Sequence, residues 1–494
     1  HGEGQIIAIL DTGLAYDSCY FAEPDGSAPP FNTGSPTGGL DWQNVDYSRR
    51  KVIAYDFLWD DPDAPDAYDN FGHGTHAAGA AAGDRGVYGV HDLGDAIAPM
   101  AKLVIQDAGV AVDNCTQLPG IGCPVSLTSI LDQAYRQGVR IHSNSWGDRQ
   151  GVPPSVPPPT ANYPASAREV DNFIWTHPEM LIVFNTGNNS LDTFAPAGSL
   201  SAPGCAKNTI QVAGTREVGR EDDSLISSMT RIGPTRDGRI KPDLLGPAVV
   251  LAGDIDTDKD PNTCDLSYQT GTSWASPTIA GAAALVRQYY TDGFYPSGSA
   301  SSSDRFTPSA ALMKATLIAA ARPAVFRSGG VQTVPAAPVP SGEQGWGFPV
   351  LDDALYFPGD TARMRVNDVP FSLGLTQGET ANLRIPVKGG APLKIVLVWT
   401  DPPGTVSNDT TPQLVNDLDL LVTTPTGTTR LPNNLTKADR LNNVEVVTFP
   451  APFPGTYSID VTAHHLGQGV RQNYALVVTG DLSEAGPRRR AARH

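Results

Sequence analysis

The sequence is poor in basic residues, in cysteine and in long apolar runs, and each shortage removes a class of function. Lysine and arginine total 35 against 52 aspartates and glutamates, a net charge of -17, which opposes attraction to nucleic-acid phosphates or anionic lipid. A nucleic-acid partner is therefore not expected. No apolar stretch approaches the length that crosses a bilayer, so no membrane partner is expected either, and no charged-then-apolar leader precedes the first strand-like segment. The chain reads as a mature fragment, stripped of any leader or pro-segment. Five cysteines are too few for a disulfide scaffold. Cys115 and Cys123 bracket a short Pro/Gly loop and are candidates for a bridge. Cys205 and Cys264 are partners only if the fold brings them together, which leaves Cys19 over; buried free thiols are the other reading of these three.

What is present points to a loop-rich globular chain of two or three domains. The 494 residues are 40% hydrophobic and 18% charged, with 50 Gly and 43 Pro, enough apolar material for filled cores joined by many turns. Buried-strand runs such as Gln5–Leu10, Lys102–Gln106 and Met180–Phe184 alternate with helical segments. That alternation predicts a mainly parallel α/β sheet covered by helices on both faces. Beyond Pro358 the period changes to short strands separated by Pro, Gly and Asn turns, the pattern of an all-β sandwich. Residues 1–357 and 358–494 are the expected domains.

Four short stretches carry chemistry. Gly271-Thr272-Ser273-Trp274-Ala275-Ser276-Pro277 delivers a hydroxyl to the first turn of an Ala-rich helix, where free N–H groups favour developing negative charge. A buried helix with a serine cap is the plainer reading of that stretch alone. Gly72-His73-Gly74-Thr75-His76 opens a second small-residue helix, and a neutral imidazole at its start suits a general base. His76, further in, reads as a packed, hydrogen-bonded histidine. The first buried strand ends at Asp11-Thr12-Gly13, and another ends at Asn185-Thr186-Gly187-Asn188, both at the strand ends where open α/β sheets place functional residues.

Asp11, His73 and Ser273 occur in the order that subtilisin uses for its triad. Asp11-Thr12-Gly13, His73-Gly74-Thr75-His76, Gly271-Thr272-Ser273 with Ala275-Ser276-Pro277, and Gly187-Asn188 resemble the active-site signatures of the subtilisin-like serine proteases. Ile141–Gly147, Asp237–Asp243, Leu414–Leu420 and Asn442–Glu445 are similar to the oxidatively stable alkaline proteases, subtilases with a C-terminal β-sandwich of jelly-roll type. The resemblance implies a secreted, monomeric endopeptidase acting on proteins and peptides. Ser273 is then the nucleophile, His73 the base, Asp11 its orienting group and Asn188 the oxyanion donor. Ser145, Trp146 and Gly147 offer an edge for substrate backbone, which implies broad specificity. Asn185, Thr186 and Gly187 line the pocket for the residue before the cut.

This chain departs from the family in places. Asn185-Thr186 stand where Ala-Ala or Ala-Ser is usual, Trp274 where Met is usual, and in Thr230-Arg231-Ile232-Gly233-Pro234 the arginine is displaced by one place. The resemblance also implies structural calcium. Asp254, Asp256, Asp258 and Asp260 alternate, with Asp265 at the offset of a last ligand, although Lys259 stands where a calcium loop of this pattern needs Gly. Asp417 and Asp419 are the comparable pair in the sandwich. Two rivals remain: a subtilase fold that only binds, and a triad that passes the acyl group to an amine as a ligase or cyclase.

Overall fold

A computed structural model describes residues 1–33, 40–58, 69, 72–86, 92–109, 126–147, 162–189, 195–215, 226–254, 264–324, 326–328, 331–333 and 338–483. Cys115 and Cys123 lie outside these, as do Asp256, Asp258 and Asp260. The chain forms two compact units. The first is His1–Gln288 with Arg322–Pro349 and Pro403–Gln413; the second is Tyr289–Ala321, Val350–Pro402 and Leu414–His494. The division is interleaved in sequence, so it does not follow a single cut near Pro358.

The first unit is built on eight strands: β1 (Ile6–Asp11), β2 (Phe31–Thr33), β3 (Val52–Phe57), β4 (Lys102–Asp107), β5 (Ile141–Asn144), β6 (Leu181–Asn185), β7 (Ile210–Thr215) and β8 (Leu244–Pro247). They lie in the order β2-β3-β4-β1-β5-β6-β7-β8 and every pairing is parallel. The continuous apolar runs predict this, because a strand covered on both faces has no polar side to show. Residues of β1, β4 and β6 share one buried cluster with α2 (Leu127–Arg136) and α3 (Ala165–Thr176). Parallel strands all end at one edge, so Asp11, Asn144 and Asn185 finish on the same side of the sheet.

A hairpin of β9 (Val249–Gly253) and β10 (Leu266–Thr270) leads into the long helix α4 (Thr272–Thr291). Its loop is tied back to the start of the chain by a disulfide between Cys19 and Cys264, 245 residues apart, with Cα atoms at 5.5 Å. The pairing of Cys205 with Cys264 considered from the sequence is therefore replaced. The Cys205 thiol is buried and donates to Asn162 O at 3.0 Å.

The second unit holds two four-stranded antiparallel sheets. One orders Arg363–Val369, Tyr474–Gly480, Leu393–Val398 and Val444–Phe449; the other orders Thr380–Val387, Gly455–Leu466, Asn416–Thr423 and Thr429–Arg430. Leu393, Ile395 and Leu397 of the first share one core with Leu418, Leu420 and Val422 of the second. The helix α5 (Ala310–Ala319) belongs here although it precedes Pro358. All ten of its residues are buried, and Lys394 donates to Ile318 O at 3.2 Å. An apolar helix of this kind needs a sheet to cover, and it finds one in the later strands. Among the described residues no helix is long and apolar enough to cross a membrane.

Candidate active site

The site grows from the end of β1. Asp11 is buried, and its Oδ1 meets His73 Nδ1 at 2.6 Å while also accepting the Thr12 N–H at 2.9 Å. His73 opens the helix α1 (His73–Ala82), capped by Gly72 at φ 73°. A left-handed cap of that kind suits glycine. Gly74 permits the close approach that sets the distance: a Cβ on it would lie 2.2 Å from Gly13 O. Burial lowers the His73 pKa, and the charge and hydrogen bond of Asp11 more than reverse this, so the imidazole holds its proton above the ordinary value.

His76 is a different kind of histidine. It is buried, its Nε2 lies 3.1 Å from Val250 O, and burial pulls its pKa down to about 4. It is a packed, hydrogen-bonded group, as its place in the helix predicts. The Trp274 ring packs against both, with centroids 4.8 Å from His73 and 4.4 Å from His76. The start of α4 is thereby brought to the imidazole.

Ser273 is the second residue of α4, and Pro277 lies inside the same helix. Proline has no N–H, so the carbonyl four residues earlier, that of Ser273, is left without its helical partner. Ser145 takes the vacancy, donating its hydroxyl to Ser273 O at 2.6 Å. In return Ser273 Oγ donates to Ser145 O at 3.5 Å, and Ser276 Oγ donates to Asn144 O at 3.2 Å. The end of β5 and the serine turn are stitched together by three side chains. Trp146 stacks edge-on against Phe184 at 5.3 Å, and Gly147 follows it.

Asn188 follows β6. Its Oδ1 accepts both the Thr272 N–H and the Thr272 hydroxyl at 2.8 Å, which turns the amide N–H₂ the other way. A methyl on Gly271 would sit 3.5 Å from Asn188 Nδ2 and 3.7 Å from Ser273 N, so these two donors flank one small space. Such a pair of N–H groups at a helix start suits an oxyanion.

Asn185 and Thr186 are both buried, and Thr186 Oγ1 is engaged with Thr230 Oγ1 at 3.1 Å. The displaced Arg231 packs its stem on Gly187, 3.0 Å from a Cβ placed there, and donates from Nε to Asn188 O at 3.0 Å. Burial lowers its pKa.

The acidic candidates lie elsewhere. Asp417 and Asp419 both bind Arg440, Asp417 Oδ2 at 3.1 Å and Asp419 through both oxygens. Burial, with Arg440 opposing it, leaves the Asp417 pKa at about 7. One acid that the sequence reading passed over, Asp69, is fully buried next to the Asp11–His73 pair. Its position four residues before His73 was the signal available.

The model of the subtilase family matches residues 2–347. Two curated relatives from Dictyostelium discoideum are named serine protease/ABC transporter B family proteins. TagD is 26% identical over 530 residues, covering 85% of this chain and 28% of its own, and tagA is 25% identical over 580 residues, covering 97% and 30%. The chain thus spans under a third of the length of these relatives. Among solved structures, the Aeromonas sobria serine protease in complex with its chaperone is 15% identical over 97% of this chain and 88% of its own, with a TM-score of 0.41. Sphericase is 19% identical over 72% and 83%, also at 0.41. On the family match over most of its length, with an Asp11–His73 pair beside the Ser273 turn, the chain belongs to the subtilase family.

Proposed function

We propose that this chain is a secreted serine endopeptidase of broad specificity, acting through an acyl-enzyme on Ser273. The observation that carries the reading is the 2.6 Å contact between buried Asp11 and part-exposed His73 Nδ1. It leaves Nε2 as the nitrogen that serves the nucleophile. Ser273 attacks the peptide carbonyl while His73 takes its proton, then returns it to the leaving amine. Asp11 holds the tautomer and stabilises the imidazolium. The carbonyl oxygen, now an anion, is met by Asn188 Nδ2 and the Ser273 N–H. Water repeats the sequence to release the acid. Substrate backbone lies along Ser145-Trp146-Gly147, with Asn185, Thr186 and Gly187 beside the residue before the cut. The relatives' name supplies serine protease as its first half, and only that half is carried to this chain.

Calcium is the ion that family membership implies. Asp417 and Asp419 do not fit it as they stand, since Arg440 already supplies their positive charge, and no three ligating side chains converge among the described residues. Asp254 and Asp265 come together, Asp254 N donating to Asp265 O at 2.9 Å. Structural calcium on that loop is part of the proposal, and a lower melting temperature in chelator is its check.

The direct test is the mass of the intact protein after a serine-directed phosphonylating reagent, with casein digestion alongside. One adduct mapped to Ser273, with digestion lost in Ser273→Ala, is the expected result. A folded chain that takes no label would sink the reading, and joined rather than cleaved peptides would mark a ligase.

A further inference from the structure

Asp69 stands behind the Asp11–His73 pair and accepts four hydrogen bonds. Its Oδ1 takes Thr12 Oγ1 and the Gly72 N–H, each at 2.9 Å, and its Oδ2 takes the Thr75 N–H at 2.7 Å and Thr75 Oγ1 at 2.9 Å. Both hydroxyls pass the connection on. Thr12 Oγ1 accepts from the Gly74 N–H and Thr75 Oγ1 from the Ala15 N–H, each at 2.9 Å. Thr12 and Ala15 follow Asp11 out of β1, while Gly72, Gly74 and Thr75 surround His73 at the start of α1. One buried anion therefore ties together the two backbones that carry the hydrogen-bonded pair.

Helix capping accounts for the bonds to Gly72 and Thr75, because the first N–H groups of α1 lack helical partners. It does not account for Thr12, which comes from another element 57 residues away. Nor does it explain a second carboxylate beside an imidazole that turns cationic during the reaction.

We propose that Asp69 is a positioning residue of this site: held by Thr12 and Thr75, its carboxylate fixes Asp11 against His73 Nδ1 and places a second negative charge behind the imidazolium. The proposal rests on the acyl-transfer reading above. The groups facing His73 are Asp11 from β1, Asp69 from the segment before α1, His76 within α1 and the Trp274 ring from α4. Asp107 on β4, in register beside Asp11, gives its oxygens to the Tyr55 hydroxyl at 2.8 Å and the Gly109 N–H at 2.9 Å. Burial lowers the His73 pKa, and Asp11 first and Asp69 after it raise it. Burial also raises the Asp69 pKa, while the bonds from Thr75 and Thr12 work to keep it ionised.

The test is Asp69→Asn in the whole chain, with active sites counted by phosphonylation of Ser273, and with kcat, the pH profile of kcat/KM and the melting temperature measured together. Turnover per active site is expected to fall roughly 10- to 100-fold. The acid limb is expected to move to lower pH by about half a unit, with KM changed less than about twofold. Thr12→Val keeps the anion but cuts its tie to β1; turnover falls and the limb stays. Should Asp69→Asn fail to fold, Thr12→Val decides alone, and unchanged turnover per active site overturns the proposal. A lower melting temperature with wild-type turnover and limb would make Asp69 a helix cap and nothing more. Wild-type protein that takes no label removes the acyl-transfer reading itself, and the proposal falls with it.

Discussion

Replacing Asn188 separates the helix cap that its side chain makes from the oxyanion role proposed for it. Its oxygen caps the start of α4 by accepting the Thr272 N–H and hydroxyl, and its amide nitrogen faces the space beside Ser273 N. Asn188→Ala removes both. The lost acceptor leaves an N–H and an O–H at a helix start unpaired, about 1–2 kcal/mol of stability. That lowers the melting temperature by roughly 2–8 °C. The lost donor acts on the transition state; in subtilisin the matching loss costs on the order of 100- to 1000-fold in kcat, about 2.7–4 kcal/mol, and the same range is expected here. Asn188→Asp splits the pair. One carboxylate oxygen still accepts from Thr272, so the melting temperature stays within about 2 °C of wild type. The other replaces the donor and repels the oxyanion, so kcat falls at least as far as in the alanine variant. The assay is chromogenic peptide hydrolysis per active site counted by phosphonylation, with thermal melts on the same samples. An aspartate variant that keeps more than about a tenth of wild-type turnover would refute the reasoning. So would an alanine variant that loses stability alone.

Four further outcomes are expected. On the acyl-transfer reading neutral His73 is the base, so kcat/KM should rise with pH through its pKa, which lies above the ordinary histidine value because of Asp11; Asp11→Asn should bring that limb to lower pH and cut kcat on the order of 10⁴-fold, and a pH–rate profile with an unmoved limb would count against the pairing. Trp274 puts no thioether beside Ser273, so activity should survive peroxide, whereas Trp274→Met should lose it with a mass gain of one oxygen on that residue. Trp274→Ala should also move the acid limb down, since a ring 4.8 Å from the imidazole favours its cationic form. Cys19→Ser opens a link across 245 residues and should cost about 2–5 kcal/mol of stability by denaturant titration; an unchanged midpoint would mean that the bridge does not form in solution.

What the sequence disclosed follows from what each group needs nearby. Asp11, His73, Ser273 and Asn188 are legible because each is flanked by glycine, alanine or threonine within a few positions, and close backbone approach leaves that local mark. The parallel sheet is legible because fully buried strands must be continuously apolar. Arg363–Val369 left little trace, since its residues are mostly half-buried, whereas Thr380–Val387 does alternate, with Ala381, Leu383, Ile385 and Val387 more buried than the exposed residues between them. The bond between Cys19 and Cys264 is fixed by where β10 arrives, which spacing along the chain does not encode. Asp69 sits among acidic loop residues that look like a solvated run. Only its four donors from two elements distinguish it. Arg440 between Asp417 and Asp419 was equally hidden, because the ion pair joins residues about twenty positions apart.

The strap Pro403–Gln413 bears on how the chain is made. Its Gly404 amide donates to the Tyr163 hydroxyl at 3.1 Å and its Gly404 carbonyl accepts from Arg168 at 3.2 Å, while Gln413 O receives the buried Lys207 ammonium at 2.8 Å. The first unit is therefore unfinished until residue 413 has left the ribosome, long after its last sheet strand. Domains that are continuous in sequence fold in turn as they emerge, at about 5–20 residues per second. Here the first unit waits on its own late segment, and a chain stopped at 357 should show the gap as protease cutting near Tyr163.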